Sequence, residues 1–246
     1  MFNLINKLFH RTKPYITKTA EVDGIKYGYL TDLKLIDEQL QTDLIAYAAY
    51  CLTEATPEPG VASSIHEMYS EHADESKTSE AIETIRRFSS FNTHKPGDLN
   101  NFFKRYYIPS PLADRIKQNL PKKIRKTNFN LVMIITNFGT PLHRDVCDKA
   151  IILCPVVTDN EITSFWEIKD EYKNNHSYSL HAFADPDKVE RKLDLVFKPR
   201  ESWILDVDKI HAVEPTKTNP TNRIIISLRW FDNTTVDDIV KWFQVK

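Results

Sequence analysis

A histidine and a carboxylate stand two residues apart in the stretch Asn137-Phe138-Gly139-Thr140-Pro141-Leu142-His143-Arg144-Asp145. In extended chain the side chains of residues i and i+2 point to the same face, so His143 and Asp145 can converge on one metal ion while Arg144 points away. The best candidate for a third donor is His211, in Ser202-Trp203-Ile204-Leu205-Asp206-Val207-Asp208-Lys209-Ile210-His211-Ala212-Val213, where a short apolar strand turns through two aspartates into a second strand. Two histidines and one carboxylate form a facial triad. Such a set leaves three coordination positions open and is the donor set of non-haem Fe(II) oxygenases, whose iron must take a co-substrate and O2 together.

Twelve residues beyond His211 begins Arg223-Ile224-Ile225-Ile226-Ser227-Leu228-Arg229-Trp230-Phe231, which puts permanent cations into an otherwise apolar run. An unpaired guanidinium inside a strand is costly, so an anionic partner is implied. With strand alternation, Arg223, Ile225, Ser227 and Arg229 share one face.

The order H-x-D, distal His, spaced Arg resembles the 2-oxoglutarate and Fe(II)-dependent dioxygenases over about Leu131 to Phe231, in the style of the small phage and marine-microbial members of that family. The resemblance implies Fe(II) on His143, Asp145 and His211, with 2-oxoglutarate chelating the iron and its far carboxylate on Arg223. Ser227 and Asn137 are further candidates for contact with the cofactor. It also implies release of succinate and CO2 and hydroxylation of a C–H bond in a second substrate. Arg229, eighteen residues beyond His211, is left as a contact to an acidic substrate group or a structural ion pair. Trp166, Tyr178 and His181 are the other substrate candidates.

Other chemistries share these letters. His143-Arg144-Asp145 matches a kinase catalytic H-R-D, but the Asn expected five residues after the Asp is Ala150, and the accompanying D-F-G and Gly-rich loop are missing. His66-Glu67 begins like H-E-x-x-H, yet the next histidine is His72, which a helix turns away. Cys147 and Cys154 lack C-x-x-C spacing. A second H-x-D, His72-Ala73-Asp74, sits in a polar acidic segment without flanking strands and reads as a solvated loop. A halogenase keeps its chloride position open where Asp145 stands. The rival from another class is a non-catalytic or isomerase-type metal-binding cupin.

The elements that must position these residues change character along the chain. From residue 128 onward short strands alternate with Pro, Asn and Asp turns: Leu131–Thr136, Ala150–Val157, Thr163–Ile168, Leu193–Lys198, Trp203–Leu205, Ala212–Glu214 and Arg223–Phe231. This pattern suits a double-stranded β-helix, a cupin-like jelly roll. Residues 169–191 form a polar, aromatic-dotted insertion, read as a lid over the metal mouth. Residues 1–127 read as a helical support region. A short strand near Gly24–Tyr29 is followed by a helix from about Thr31, then helices over Glu80–Phe88 and Pro111–Leu120. The expected class is therefore α+β, mainly β, with a helical N-terminal half and a catalytic core over 128–246.

Composition narrows the rest. The net charge of −1 argues against a wholesale electrostatic nucleic-acid binder, although Arg115 to Lys126 is a basic stretch. Five glycines in 246 residues, against a usual ~7 per cent, leave none for a phosphate-binding loop. Three irregularly spaced cysteines suggest free thiols in a reducing, cytoplasmic setting. No apolar run approaches the ~20 residues of a membrane span. The amphipathic start, Met1 to Arg11, is expected to pack on the protein itself. An amino acid or a peptidyl side chain is favoured as substrate over a nucleobase.

Overall fold

The computed structural model describes residues 15–53, 104–136, 139–145, 148–174, 184, 186–216, 222–230 and 232–244. Asn137, Tyr178, His181, the segment 1–11, the second H-x-D and the helix expected over 80–88 lie outside these residues.

The strands are β1 (Ile16–Val22), β2 (Ile25–Thr31), β3 (Lys104–Tyr107), β4 (Asn130–Thr136), β5 (Thr140–His143), β6 (Ala150–Val157), β7 (Ile162–Ile168), β8 (Val189–Val196), β9 (Ser202–Asp206), β10 (Ile210–Glu214) and β11 (Arg223–Arg229). Among the described residues three α-helices accompany them: α1 (Glu38–Thr53), α2 (Ser110–Gln118) and α3 (Val236–Gln244). The chain is mainly β. One sheet runs β1-β2-β9-β6-β11-β4-β3 and the other β5-β10-β7-β8, and the strand pairings within both are antiparallel. From β4 to β11 successive strands switch sheets, apart from the β7–β8 hairpin. This is the alternation of a jelly roll.

Three apolar layers follow from which strand face each residue takes. Tyr27, Ile151, Leu153, Phe165, Leu195, Trp203, Leu205 and Ile225 meet between the sheets. Ile152, Ile204, Ile224, Ile226 and Leu228 leave by the opposite face of the large sheet and are covered by α1, α2 and α3 through Leu40, Leu44, Ile116, Ile239 and Phe243. Leu142, Val189 and Ala212 form a smaller layer on the outside of the small sheet, closed by Ala184. The Ala184 N–H donates to the Leu142 carbonyl at 2.9 Å, so this chain segment also covers the β5 edge.

The N-terminal half holds more strand than an all-helical support would. In place of one strand near residues 24–29 there is a hairpin, β1–β2, turning through Asp23 and Gly24 at φ 51° and 79°. Positive φ at both positions is the turn whose twist suits a two-residue hairpin, and Asp-Gly supplies it at low cost. The first helix starts at Glu38, later than the expected Thr31, because Asp37 is the residue that caps it: its Oδ1 accepts the Leu40 N–H at 2.7 Å. The C-terminal helix α3, absent from the sequence reading, opens with a reciprocal cap between Thr235 and Asp238, Thr235 N–H to Oδ2 at 3.1 Å and Asp238 N–H to Oγ1 at 3.3 Å. Among the described residues no helix is long and apolar enough to cross a membrane.

Because the helical layer is held to the large sheet by close-packed aliphatic side chains, truncating one is expensive. Ile226→Ala, at a site with no exposure, is expected to cost about 2–5 kcal/mol in urea unfolding. A loss below about 1 kcal/mol would show that the helices do not rest on this face.

Candidate metal centre

The two histidines are brought together by strand pairing. β5 and β10 are antiparallel neighbours, and in their register His143 is the partner of His211. The ring centroids are 4.3 Å apart. The ladder is short and irregular, since Val213 pairs with Thr140 and β5 thus carries one residue more than β10 between the two pairs. Gly139 makes the close approach possible, because a Cβ there would stand 2.3 Å from the Val213 carbonyl oxygen. Thr140 then accepts the Val213 N–H on its hydroxyl at 3.1 Å.

Asp145 follows β5 and is anchored through its backbone, whose N–H donates to the Val207 carbonyl at 2.9 Å. Its Oδ1 lies 3.5 Å from Nε2 of His143. His211 is buried, packs at 5.9 Å between ring centroids against Phe165, and donates from Nδ1 to the Lys209 carbonyl at 2.9 Å. Holding the proton on Nδ1 leaves the Nε2 lone pair for a ligand. One donor atom from each of His143, Asp145 and His211 lies within 4.8 Å of the others. No other such group of histidine, cysteine and carboxylate donors occurs among the described residues.

Electrostatics favour the deprotonated donors a metal requires. Burial, together with the neighbouring His143, pushes the His211 imidazole down to about 4. Burial alone would raise the Asp145 carboxyl, but the Arg229 guanidinium and the two histidines outweigh it and hold Asp145 well below the usual carboxylate range.

Arg229 answers the question of where its anionic partner is. At the end of β11 it donates from Nε to Asp148 Oδ2 at 2.7 Å, and its terminal nitrogen pairs with Oδ2 of both Asp148 and Asp145. It is thus an ion-pair residue beside the metal donors. Burial lifts the Asp148 carboxyl, against the pull of Arg229.

At the other end of the same strand Arg223 is 6% exposed, and its Nε has no hydrogen-bond partner among the described residues. The nearest anion is Glu161, 4.0 Å from Nε and itself occupied by Thr158 and by the Asp159 N–H at 3.1 Å. Burial lowers the guanidinium to about 10, which leaves it a cation at neutral pH. Ser227 and, on β7, Thr163 are also buried with hydroxyls lacking a described partner. Arg223 and Ser227 share the face of Ile225, and Thr163 that of Phe165, so all three belong to the inter-sheet side. Three buried polar atoms, Arg223 Nε, Ser227 Oγ and Thr163 Oγ1, without hydrogen-bond partners among the described residues imply a polar occupant.

Trp166 points from the opposite face of the small sheet. Its Nε1 donates to Ser164 Oγ at 2.8 Å and Arg191 lies 5.7 Å from its ring. It lines a cavity of about 320 Å³ together with Arg144, Glu167, Lys173, Lys209 and Ile210. No sequence motif marks Asp148, Glu161 or Thr163. Each could have been sought as a partner for the two arginines, but only the sheet order shows which residues face them.

Comparison with known proteins adds little. No family model and no curated protein matches the chain. Among solved structures, AviO1 from Streptomyces viridochromogenes Tue57 is 10% identical, with a TM-score of 0.41 over 85% of this chain and 91% of that one. A prolyl-4-hydroxylase from Pseudomonas putida is 9% identical, at 0.40 over 82% and 91%. HygX from Streptomyces hygroscopicus, solved with nickel, 2-oxoglutarate and hygromycin B bound, is 15% identical, at 0.35 over 63% and 76%. At such values the assignment rests on the chain's own geometry.

A buried histidine whose folded pKa is depressed resists protonation that the unfolded chain accepts, so stability is full above about pH 6.5 and declines as pH falls towards about 4. Asp145 acts in the same direction at lower pH. For the metal-free chain the His211 share between pH 7 and pH 4.5 is about 2–3 kcal/mol, read by urea unfolding in chelator at the two values. Equal stability at both values, or a loss unchanged in His211→Asn, would contradict a neutral buried His211.

Proposed function

We propose that the chain is an Fe(II)- and 2-oxoglutarate-dependent oxygenase that hydroxylates a C–H bond of a small molecule or peptidyl side chain. The observation that carries this reading is a His143, Asp145, His211 donor set in a double sheet whose interior holds Arg223 Nε, Ser227 Oγ and Thr163 Oγ1 without hydrogen-bond partners among the described residues. The donor set suits iron with open positions, and the buried cation with two hydroxyls suits the carboxylate of a diacid.

When bound, iron and 2-oxoglutarate with O2 supply the oxidation: 2-oxoglutarate is split to succinate and CO2, and one oxygen atom enters the substrate C–H bond. The chain's own residues position the reactants. His211 is fixed in one tautomer by Lys209, and Asp145 is held by Arg229 and by its backbone contact to Val207. Arg223 and Ser227 receive the far carboxylate of the cofactor, with Thr163 on the facing sheet. Ile225, Phe165 and the apolar residues around them keep water from the site. Asn137 remains a further candidate cofactor contact outside the described residues. In the same reading residues 128–246 are the catalytic core and 1–127 its support, and of the insertion expected over 169–191 the part before β8 is its lid, since Val189–Arg191 belong to that strand. A reducing, cytoplasmic setting suits Cys51 and Cys154, which are buried free thiols.

Succinate formation from 2-oxoglutarate with Fe(II) and O2, even without the second substrate, tests the class. His211→Ala should lose iron and turnover together. Arg223→Leu should retain iron but raise the 2-oxoglutarate requirement by about a hundredfold to a few thousandfold, the equivalent of roughly 3–5 kcal/mol for losing one member of a buried charge pair. Full activity in His211→Ala, or an unchanged requirement in a folded Arg223→Leu, would remove the respective assignment.

A further inference from the structure

We infer that Asp148 is a positioning residue for the metal centre, acting through Arg229 to keep one oxygen of Asp145 off the metal and to preserve the negative charge of the donor set. The inference rests on the metal centre proposed above and extends it to a residue outside the triad.

The carboxylate of Asp145 has two oxygens with different surroundings. Oδ1 faces His143, 3.5 Å from its Nε2, whereas Oδ2 is paired with the Arg229 guanidinium. An oxygen engaged by a buried guanidinium is the poorer ligand of the two, so Oδ1 is the donor atom that Asp145 offers. That matters because a carboxylate binding through both oxygens would occupy a second position, and the chemistry needs three kept open.

The guanidinium brings a cost in charge. With two neutral imidazoles, Asp145 and Arg229 sum to zero, a poor environment for a dication. Asp148 returns the sum to −1. It is 3% exposed, receives both the Nε–H and a terminal N–H of Arg229 on Oδ2, and its Oδ1 has no hydrogen-bond partner among the described residues. Arg105 on β3, outside the count above and alike in every variant tested below, also acts on Asp148. The planar fork of arginine suits this arrangement, since one edge spans Asp148 while the end reaches Asp145. Asp148 stands only three residues beyond Asp145, so a short loop delivers both carboxylates to one guanidinium.

Co(II) binding and its visible spectrum test the inference without turnover. Asp148→Asn keeps the shape of the side chain and removes its charge, leaving Arg229 wholly on Asp145. Co(II) affinity is expected to fall about tenfold to a hundredfold, the size of one unit charge acting across several ångströms of partly buried protein. The double variant D148N/R229Q removes both charges and returns the sum to −1. Its affinity should lie within about threefold of the unmodified chain, and its spectrum should shift as Oδ2 of Asp145 becomes free to bind. An Asp148 that served only the fold would lower thermal stability and leave Co(II) affinity alone. A folded D148N with unchanged affinity overturns the inference, as does a double variant no better than D148N. An unshifted spectrum in the double variant overturns the single-oxygen role of Asp145. Should D148N not fold, the double variant decides alone, because it leaves neither member of the Asp148–Arg229 pair without the other: near-normal affinity supports the role and a tenfold loss refutes it. If the unmodified chain binds no Co(II), the metal centre itself is refuted and the inference with it. If it binds Co(II) and the variants depart from the affinities expected above, the inference alone falls.

Discussion

The register between β5 and β10 is the constraint on which the site depends. These two strands set His143 opposite His211 and place Asp145 at the end of the same short ladder. A shift of one residue would turn His143 to the outer face of the small sheet and bring Leu142 inward, destroying the donor set and the outer apolar layer together. The register is held by features that tolerate little change. Gly139 has no room for a side chain, Thr140 spends its hydroxyl on Val213, and Ala184 closes the outer edge.

A second constraint is the division of β11. Its outward residues Ile224, Ile226 and Leu228 are part of the layer beneath the helices, while its inward residues alternate Arg223, Ile225, Ser227 and Arg229. Burying two guanidiniums on one strand face is expensive unless each has an anion. The two ends answer this differently. Arg229 is saturated by Asp145 and Asp148, whereas Arg223 has Glu161 at 4.0 Å and an Nε without a described partner. In the proposed function the difference gives Arg229 the part of holding the candidate metal donors and Arg223 that of receiving an anion from outside. Lowering of the Arg223 guanidinium by burial expresses the same unmet demand.

Much of this was legible in the sequence, for identifiable reasons. The runs of β6, β7 and β11 are apolar and β-branched, bounded by turn residues, and their strands lie within a residue or two of where pattern places them. His143, Asp145 and His211 were recognisable because strand alternation and donor chemistry point the same way. The β1–β2 hairpin was missed although Asp23-Gly24 is a strong turn signal between alternating residues. The start of α1 was misplaced because Thr31 and Asp32 also look like helix caps, and only the fold shows that Thr31 instead donates its hydroxyl to the Ser202 carbonyl at 3.0 Å. Asp148 and Glu161 carry no pattern of their own. Their roles depend on residues 81 and 62 positions away, Arg229 and Arg223, and sheet order alone makes those neighbours.

The central claim is that a single iron held by His143, Asp145 and His211 presents open positions to 2-oxoglutarate. Anaerobic titration of the Fe(II)-loaded chain with 2-oxoglutarate, followed by visible charge-transfer absorption, addresses it directly. The account predicts a band that grows with 2-oxoglutarate, saturates at one equivalent per chain and is absent when either histidine is replaced by alanine. No band from a folded, iron-loaded chain, or a band that survives unchanged in His211→Ala, would contradict it.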